Sequence, residues 1–232
     1  MRLTLLDEGN PEFPPPTDAL VQPDGLLAVG GNLAPDTLIR AYRNGIFPWY
    51  QDNDPILWWS PSRRCILRPC NFHVSSSLRR ILRRNFYYVT SNVCFRDVVL
   101  ACSRPRGDGG TWITSEMVEA YCKLHQLGNA HSIEVWDGDD LVGGIYGVLT
   151  GCVFSGESMF SAVSNGSKIA MAYLCQYMIS SNMTYLDCQI ENPHLMTLGA
   201  QFITRSSFID ELVNNQEASQ LWEFNSHSNW VW

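Results

Sequence analysis

The chain is expected to fold as an α+β protein, with helices packed on a central sheet. Three observations lead there. Two apolar segments, Ser132 to Trp136 and Leu141 to Phe154, flank Asp137-Gly138-Asp139-Asp140, whose composition suits a hairpin turn. Ser115 to Leu127 and Asn165 to Ser180 read instead as helices. Tyr185 to Gln189 is a short apolar run that reads as one more buried strand. Helices alternating with antiparallel hairpins give one mixed-class domain over roughly residues 65–213.

The elements follow in chain order. Residues 1–62 are rich in Pro and Gly and form a small irregular N-terminal domain, too aromatic to be left as a solvated linker. Pro14-Pro15-Pro16 is extended. One helix begins at Pro35, carries Leu38, Ile39 and Tyr42 on its apolar face, and stops at Gly45. Residues 63–232 form the second domain, with a polar tail from about 214. A helix over 75–85 follows a Ser run able to cap it. Leu78, Ile81 and Leu82 share one arc of it, and Arg79, Arg80, Arg83 and Arg84 the opposite arc. Four arginines without an intervening acid form either a solvated face or a contact for a phosphate backbone.

Tyr87 to Thr90 is a strand. In the 115–127 helix Met117, Ala120, Tyr121 and Leu124 point inward and Gly128 ends it. Thr150-Gly151 divides the long strand segment, Gly166 opens the 165–180 helix, and a last helix runs from Ser206 or Ser207 to Val213. The tail carries Trp222, Trp230 and Trp232, and the sequence leaves open whether it packs back.

Composition narrows the function classes. The chain has 232 residues, 45% of them apolar, enough for a sizeable core. No run approaches the ~18 apolar residues of a membrane span, and the N-terminus has no signal-peptide pattern. Eight cysteines without a C-x-x-C pair point to reduced thiols and a cytoplasmic location. The five histidines do not group with cysteines at zinc-ligand spacing, so no metal is expected. A net charge of -7 argues against general coating of nucleic acid but leaves room for a local basic patch.

Two acids stand where acids are unusual. On a regular strand Asp187 and Gln189 share a face and Cys188 faces away. Asp187 is then either paired with an arginine or turn, or functional. Glu157, in GESMFS between Val153-Phe154 and Met159-Phe160, admits the same two readings. Together they suggest a site that handles an amine or a hydroxyl. Gly109-Gly110 and Gly143-Gly144 match no phosphate-binding loop, and the second reads as a bulge or close backbone approach. No G-x-S-x-G occurs, and Cys188 as nucleophile would face away from Asp187.

Several segments are recognisable together: GLLAVGGNL (25–33), AYRNGIFPWY (41–50), LWWSP (57–61), GTWIT (110–114), AHSIEVW (130–136), LVGGIYGV (141–148), GESMFS (156–161), NGSK (165–168), DCQ (187–189) and LGA (198–200). In this order they resemble the leucyl/phenylalanyl-tRNA–protein transferase family over about residues 1–210. The resemblance implies a GNAT-like catalytic domain of the acyl-CoA N-acyltransferase type, with a central mixed sheet. It implies transfer of Leu or Phe, less well Met, from aminoacyl-tRNA to the α-amine of proteins beginning with Arg or Lys, marking them for N-degron proteolysis. No metal or dissociable cofactor is implied, and no membrane.

By the same resemblance Asp187, Gln189 and Glu157 stand at the reaction centre. Trp49 and Trp112 hold the terminal adenosine, and Phe154, Ile145, Leu174, Ser158 and Met159 complete the aminoacyl and adenosine pocket. Ile145 and Leu174 stand where Met and Phe are familiar, and Gly166 replaces a familiar Ala. Arg79, Arg80, Arg83 and Arg84 match a helix that meets the tRNA backbone. Two rival classes are a CoA-dependent N-acetyltransferase, whose R/Q-x-x-G-x-G/A loop is missing here, and a non-enzymatic tRNA-binding module.

Overall fold

A computed structural model describes residues 3–105, 113–215, 221–225 and 232. In the N-terminal part, β1 (Thr4–Leu6), β2 (Leu26–Gly30), β3 (Phe47–Pro48) and β4 (Leu57–Trp59) form a sheet in the order β1-β2-β4-β3. The region expected to be irregular thus carries short strands, set among turns that hide any alternating pattern. Helix α1 (Pro35–Arg43) starts on its proline and buries Thr37, Leu38, Ala41 and Tyr42. The chain leaves it through Gly45 at φ +70°, a left-handed turn that favours glycine. Trp58 is buried and donates its indole N–H to the Gly30 carbonyl at 2.8 Å.

The remaining elements are β5 (Arg63–Leu67), α2 (Ser76–Arg84), β6 (Tyr88–Ser91), α3 (Phe95–Cys102), α4 (Ser115–Gln126), β7 (Ala130–Asp137), β8 (Asp140–Thr150), β9 (Val153–Ser161), α5 (Gly166–Ser180), β10 (Tyr185–Gln189), α6 (Pro193–Thr197), β11 (Gln201–Thr204) and α7 (Arg205–Asn214). The second sheet has the order β11-β5-β10-β9-β8-β7-β6. The β9–β10 pair is parallel and every other pair antiparallel, so the sheet is mixed.

Alternation along β8 sends Tyr146 and Val148 into one core, with α1, α3 and α4, and Ile145 into another, with α2 and α5. The first core joins the N-terminal sheet to the larger one through buried contacts of α1 and Trp58. Gly143 lets α5 approach β8, because a Cβ there would lie 2.6 Å from the Gly166 carbonyl carbon. A Cβ on Gly166 would lie 2.6 Å from the Val142 carbonyl oxygen, so glycine at the start of α5 serves the same approach. Between α2 and β6, Asn85 adopts φ +48° and closes the helix.

Strand β9 continues through GESMFS, where the sequence suggests only a strand end, and its register against β8 shifts there so that Glu157 falls between the paired Gly156 and Ser158. The described part of the tail packs back. Trp222 stacks on His131 at 4.3 Å and donates to Ser91 Oγ at 2.8 Å. Trp232 lies against Tyr173, and its carbonyl accepts from Arg83 Nε at 2.8 Å.

Candidate active site

Strands β9 and β10 lie side by side with Asp187 opposite Ser155, which puts Glu157 and Gln189 at the same level of the sheet. A cavity of about 250 Å³ opens there. Trp49, Ile145, Glu157, Ser158, Met159, Asp187 and Gln189 all line it, joining residues from three regions of the chain. Phe154 and Leu174 do not; both are fully buried in the core that backs Ile145. Trp112 lies outside the described residues. Arg79, Arg80, Arg83 and Arg84 are exposed on α2, whose buried side carries Leu78 and Leu82.

Asp187 has no solvent exposure. Arg64 of β5 meets it in a fork, Nε to Oδ1 and Nη2 to Oδ2, each at 2.8 Å. The backbone N–H of Gln189 donates to Oδ1 at 2.9 Å, and Ser155 Oγ to Oδ2 at 3.1 Å. These four bonds take up roughly the four acceptor positions of a carboxylate. Arg64 is just as enclosed, at 2% exposure. Its Nη1 donates to the Gly45 carbonyl at 3.0 Å, and the rings of Phe47 and Phe208 lie 4.7 and 4.5 Å from its Cζ. The arginine reading of Asp187 therefore describes its contacts, and the partner is a residue the sequence did not single out.

The regular alternation expected at DCQ breaks. The register between β10 and β5 shifts between Asp187 and Gln189, and Gln189 takes φ +64°. A non-glycine residue in the left-handed region is uncommon and costs energy. Its N–H bond to Asp187 fixes that conformation, and its side chain turns to Glu157 rather than following Asp187. Cys188, expected to face away, also lines the cavity.

Glu157 is 7% exposed and has three neighbours at 2.7 Å. Tyr42 of α1 donates to Oε1, Tyr121 of α4 to Oε2, and Gln189 Nε2 to Oε1. The two tyrosine hydroxyls are also 2.7 Å apart. Three short contacts among two hydroxyls and one carboxylate need three protons to be filled, whereas an ionised Glu157 leaves only two. Burial pushes the Glu157 carboxyl up to about 7, and the nearby Asp187 charge adds to the rise, while Tyr121, Tyr42 and Gln189 hold it down. Burial likewise raises both tyrosines well above their usual range, keeping them protonated donors. Near neutral pH Glu157 is thus poised between its two forms, a state that suits proton handling.

Trp49 stands at the cavity edge, 39% exposed. Trp59 donates its indole N–H to the Trp49 carbonyl at 2.7 Å, and their rings lie 5.7 Å apart. Arg64, Tyr42 and Tyr121 are the residues that sequence reasoning missed. The signal for Arg64 was slight: a cation one residue before an apolar run, Cys65-Ile66-Leu67.

The chain matches known families over most of its length. Residues 66–213 match the family model for leucyl/phenylalanyl-tRNA protein transferase, and residues 31–62 match the model of its N-terminal domain. The chain belongs to this family of aminoacyltransferases. A leucyl/phenylalanyl-tRNA–protein transferase from Enterobacter sp. (strain 638) is 51% identical over 92% of this chain and 91% of its own length. Relatives of the same name from Pseudomonas syringae pv. tomato and Shewanella baltica (strain OS155) are 49% and 47% identical. They cover 90% and 95% of this chain and 92% and 94% of their own lengths. Trp49, Glu157, Asp187 and Gln189 lie within the two matched segments of the transferase family.

Proposed function

We propose that this chain transfers Leu or Phe, and less well Met, from aminoacyl-tRNA to the α-amine of proteins beginning with Arg or Lys, in the cytoplasm, marking them for N-degron proteolysis. The observation that carries the reading is the Glu157–Gln189 pair at the cavity wall, with a titrating carboxyl beside a pinned amide.

Aminoacyl-tRNA is already an activated ester, so amide formation runs downhill without ATP. The acceptor nitrogen attacks the ester carbonyl, a C–N bond forms, the bond to the ribose oxygen breaks, and the ammonium proton ends on that departing oxygen. Alignment supplies much of the rate. The α-amine has a pKa near ~8, so a neutral fraction exists at working pH. Gln189 donates through Nε2 to Glu157, which leaves its Oε1 to accept from the acceptor amine. Glu157, poised near 7, relays the proton that the amine gives up towards the departing ribose oxygen.

Asp187 acts as a positioning residue. Its acceptor positions are filled by Arg64, Ser155 and Gln189, and it fixes the Gln189 backbone. Trp49 offers a face for the terminal adenosine, where stacking is worth ~1–3 kcal/mol. Ile145 and Met159 give the cavity an apolar side for the aminoacyl group. The arginines of α2 contact acceptor-stem phosphates, which suits acceptance of several tRNAs. The molecule as a whole divides into an N-terminal domain of residues 1–62 and a catalytic domain of 63–232.

The deciding experiment is transfer of labelled Leu, Phe and Met from their tRNAs to peptides starting with Arg, Lys or Ala, with acetyl-CoA as an alternative donor. Transfer of Leu and Phe to the Arg and Lys peptides is expected. Transfer from acetyl-CoA alone would overturn the reading.

A further inference from the structure

Three carboxylates line the cavity: Glu157, Asp187 and Glu191. Their electrostatic states differ. Asp187 is neutralised by the Arg64 fork at 2.8 Å. Glu157 is enclosed, and burial holds it near half-protonated at neutral pH. Glu191 is exposed, and among the described residues no hydrogen bond or ion pair engages it. Among the described residues, no lysine, arginine or histidine lines the cavity. An unpaired anion at a cavity whose described lining carries no cation favours a cationic guest.

The backbone around Glu191 is fixed on both sides. Two residues earlier, Gln189 is pinned by Asp187 through its N–H and by Glu157 through its side chain. One residue later, Asn192 caps α6, accepting from the His194 N–H at 2.9 Å. Two residues of chain span at most ~7 Å. A long basic side chain on an acceptor whose α-amine sits at Gln189 has the length to span that separation.

We propose that Glu191 is a specificity-determining residue that pairs with the guanidinium or ammonium of the acceptor's first side chain. This rests on the reading above, that the acceptor begins with Arg or Lys. Gln189 and Glu157 hold the α-amine, which every acceptor has. Glu191 reads the charge further along the first residue, which only basic acceptors carry. Because the carboxylate is exposed, its contribution is modest and sensitive to salt.

The test compares the full-length enzyme with E191Q and E191K. Labelled Phe is transferred from Phe-tRNA to peptides beginning with Arg, Lys and Ala, at low and high salt. The expected result is a KM for the Arg and Lys peptides raised on the order of threefold in E191Q and tenfold in E191K. The KM for Phe-tRNA and the kcat at saturating peptide stay at wild-type values, and the salt dependence of the peptide KM weakens in E191Q. A wild-type enzyme without preference for Arg and Lys over Ala removes the acceptor reading, and the proposal with it. A wild-type preference that both variants keep, with unchanged peptide KM, overturns the role of Glu191 alone. Equal rises in KM for peptide and Phe-tRNA also overturn it, since they mark a general disturbance of the cavity.

Discussion

Replacing Asp187 with alanine tests whether its first duty is to the fold. The substitution strips Arg64 of both fork bonds and leaves a guanidinium at 2% exposure with one carbonyl, that of Gly45, and two aromatic faces. Removing one partner of a buried pair costs about 3–5 kcal/mol, because the other charge stays buried and uncompensated. For a chain of this size each kcal/mol moves the melting midpoint by about 2–4 °C, so Asp187→Ala is expected to melt about 6–20 °C below wild type. Circular dichroism melts of wild type, Asp187→Ala, Asp187→Leu, Arg64→Met and the double variant Arg64→Met/Asp187→Leu measure it. The double variant removes both charges and is expected to recover most of the loss, with a coupling of at least about 2 kcal/mol in the cycle. Transfer by Asp187→Ala must then be assayed well below its own midpoint, since loss at a higher temperature reports unfolding. An Asp187→Ala midpoint within 2 °C of wild type, or a double variant no better than the worse single one, would refute the argument.

Two further outcomes follow from the same geometry. Burial raises the Glu157 carboxyl from 4.5 to about 7, so the folded state holds its proton more tightly than the unfolded chain. The stabilisation is whole below about pH 4.5, drains as pH rises towards 7, and amounts to about 3 kcal/mol across that window. Glu157→Gln is expected to lose that slope in urea titrations at pH 5, 6 and 7, and its transfer rate to lose an inflection near pH 7; parallel slopes in the two proteins would count against a raised carboxyl. Replacing Arg79, Arg80, Arg83 and Arg84 by glutamine is expected to weaken tRNA binding and to reduce the slope of log K against log salt by about 3, if each neutralises one phosphate. Filter binding from 50 to 200 mM salt checks this, and an unchanged slope would remove α2 from the tRNA contact.

What the sequence made legible follows from where its signals are local. The β7–β8 hairpin was readable because Asp137-Gly138-Asp139-Asp140 names its turn, and β7 and β8 pair across it. Helix α2 was readable because Ser75 caps it through a bond from the Leu78 N–H and its two faces differ sharply. Helix α3 was not, since Cys94 makes no side-chain cap and Phe95, Val98, Val99 and Cys102 give a short buried run without clear edges. Strands β5 and β11 escaped for a similar reason: both are short, and β5 begins with two arginines. In the site, Glu157 and Gln189 stood out by residue type. Tyr42 and Tyr121 looked like ordinary apolar-face residues of α1 and α4, because nothing in a helical period tells where a hydroxyl ends. The turn of Gln189 away from the Asp187 face depends on a register shift that only the neighbouring strand reveals.

The two acids of the site divide their work by depth. Asp187 and Glu157 lie on the adjacent parallel strands β10 and β9, and the Asp187 charge raises the Glu157 carboxyl. Two ionised carboxylates in one buried place repel, and one of them would ordinarily stay protonated. Arg64 pairs with the deeper carboxylate at 2.8 Å, while burial lifts the Glu157 carboxyl to about 7. The deeper pair also grips the Gln189 N–H and the Gly45 carbonyl, which follows α1. Tyr42 on α1 then reaches Glu157 from the other side. The twist of Gln189 and the placement of α1 thus share one support, the Arg64–Asp187 pair. In this arrangement an ion pair whose bonds are filled from within the fold holds in place the amide that flanks the titrating acid.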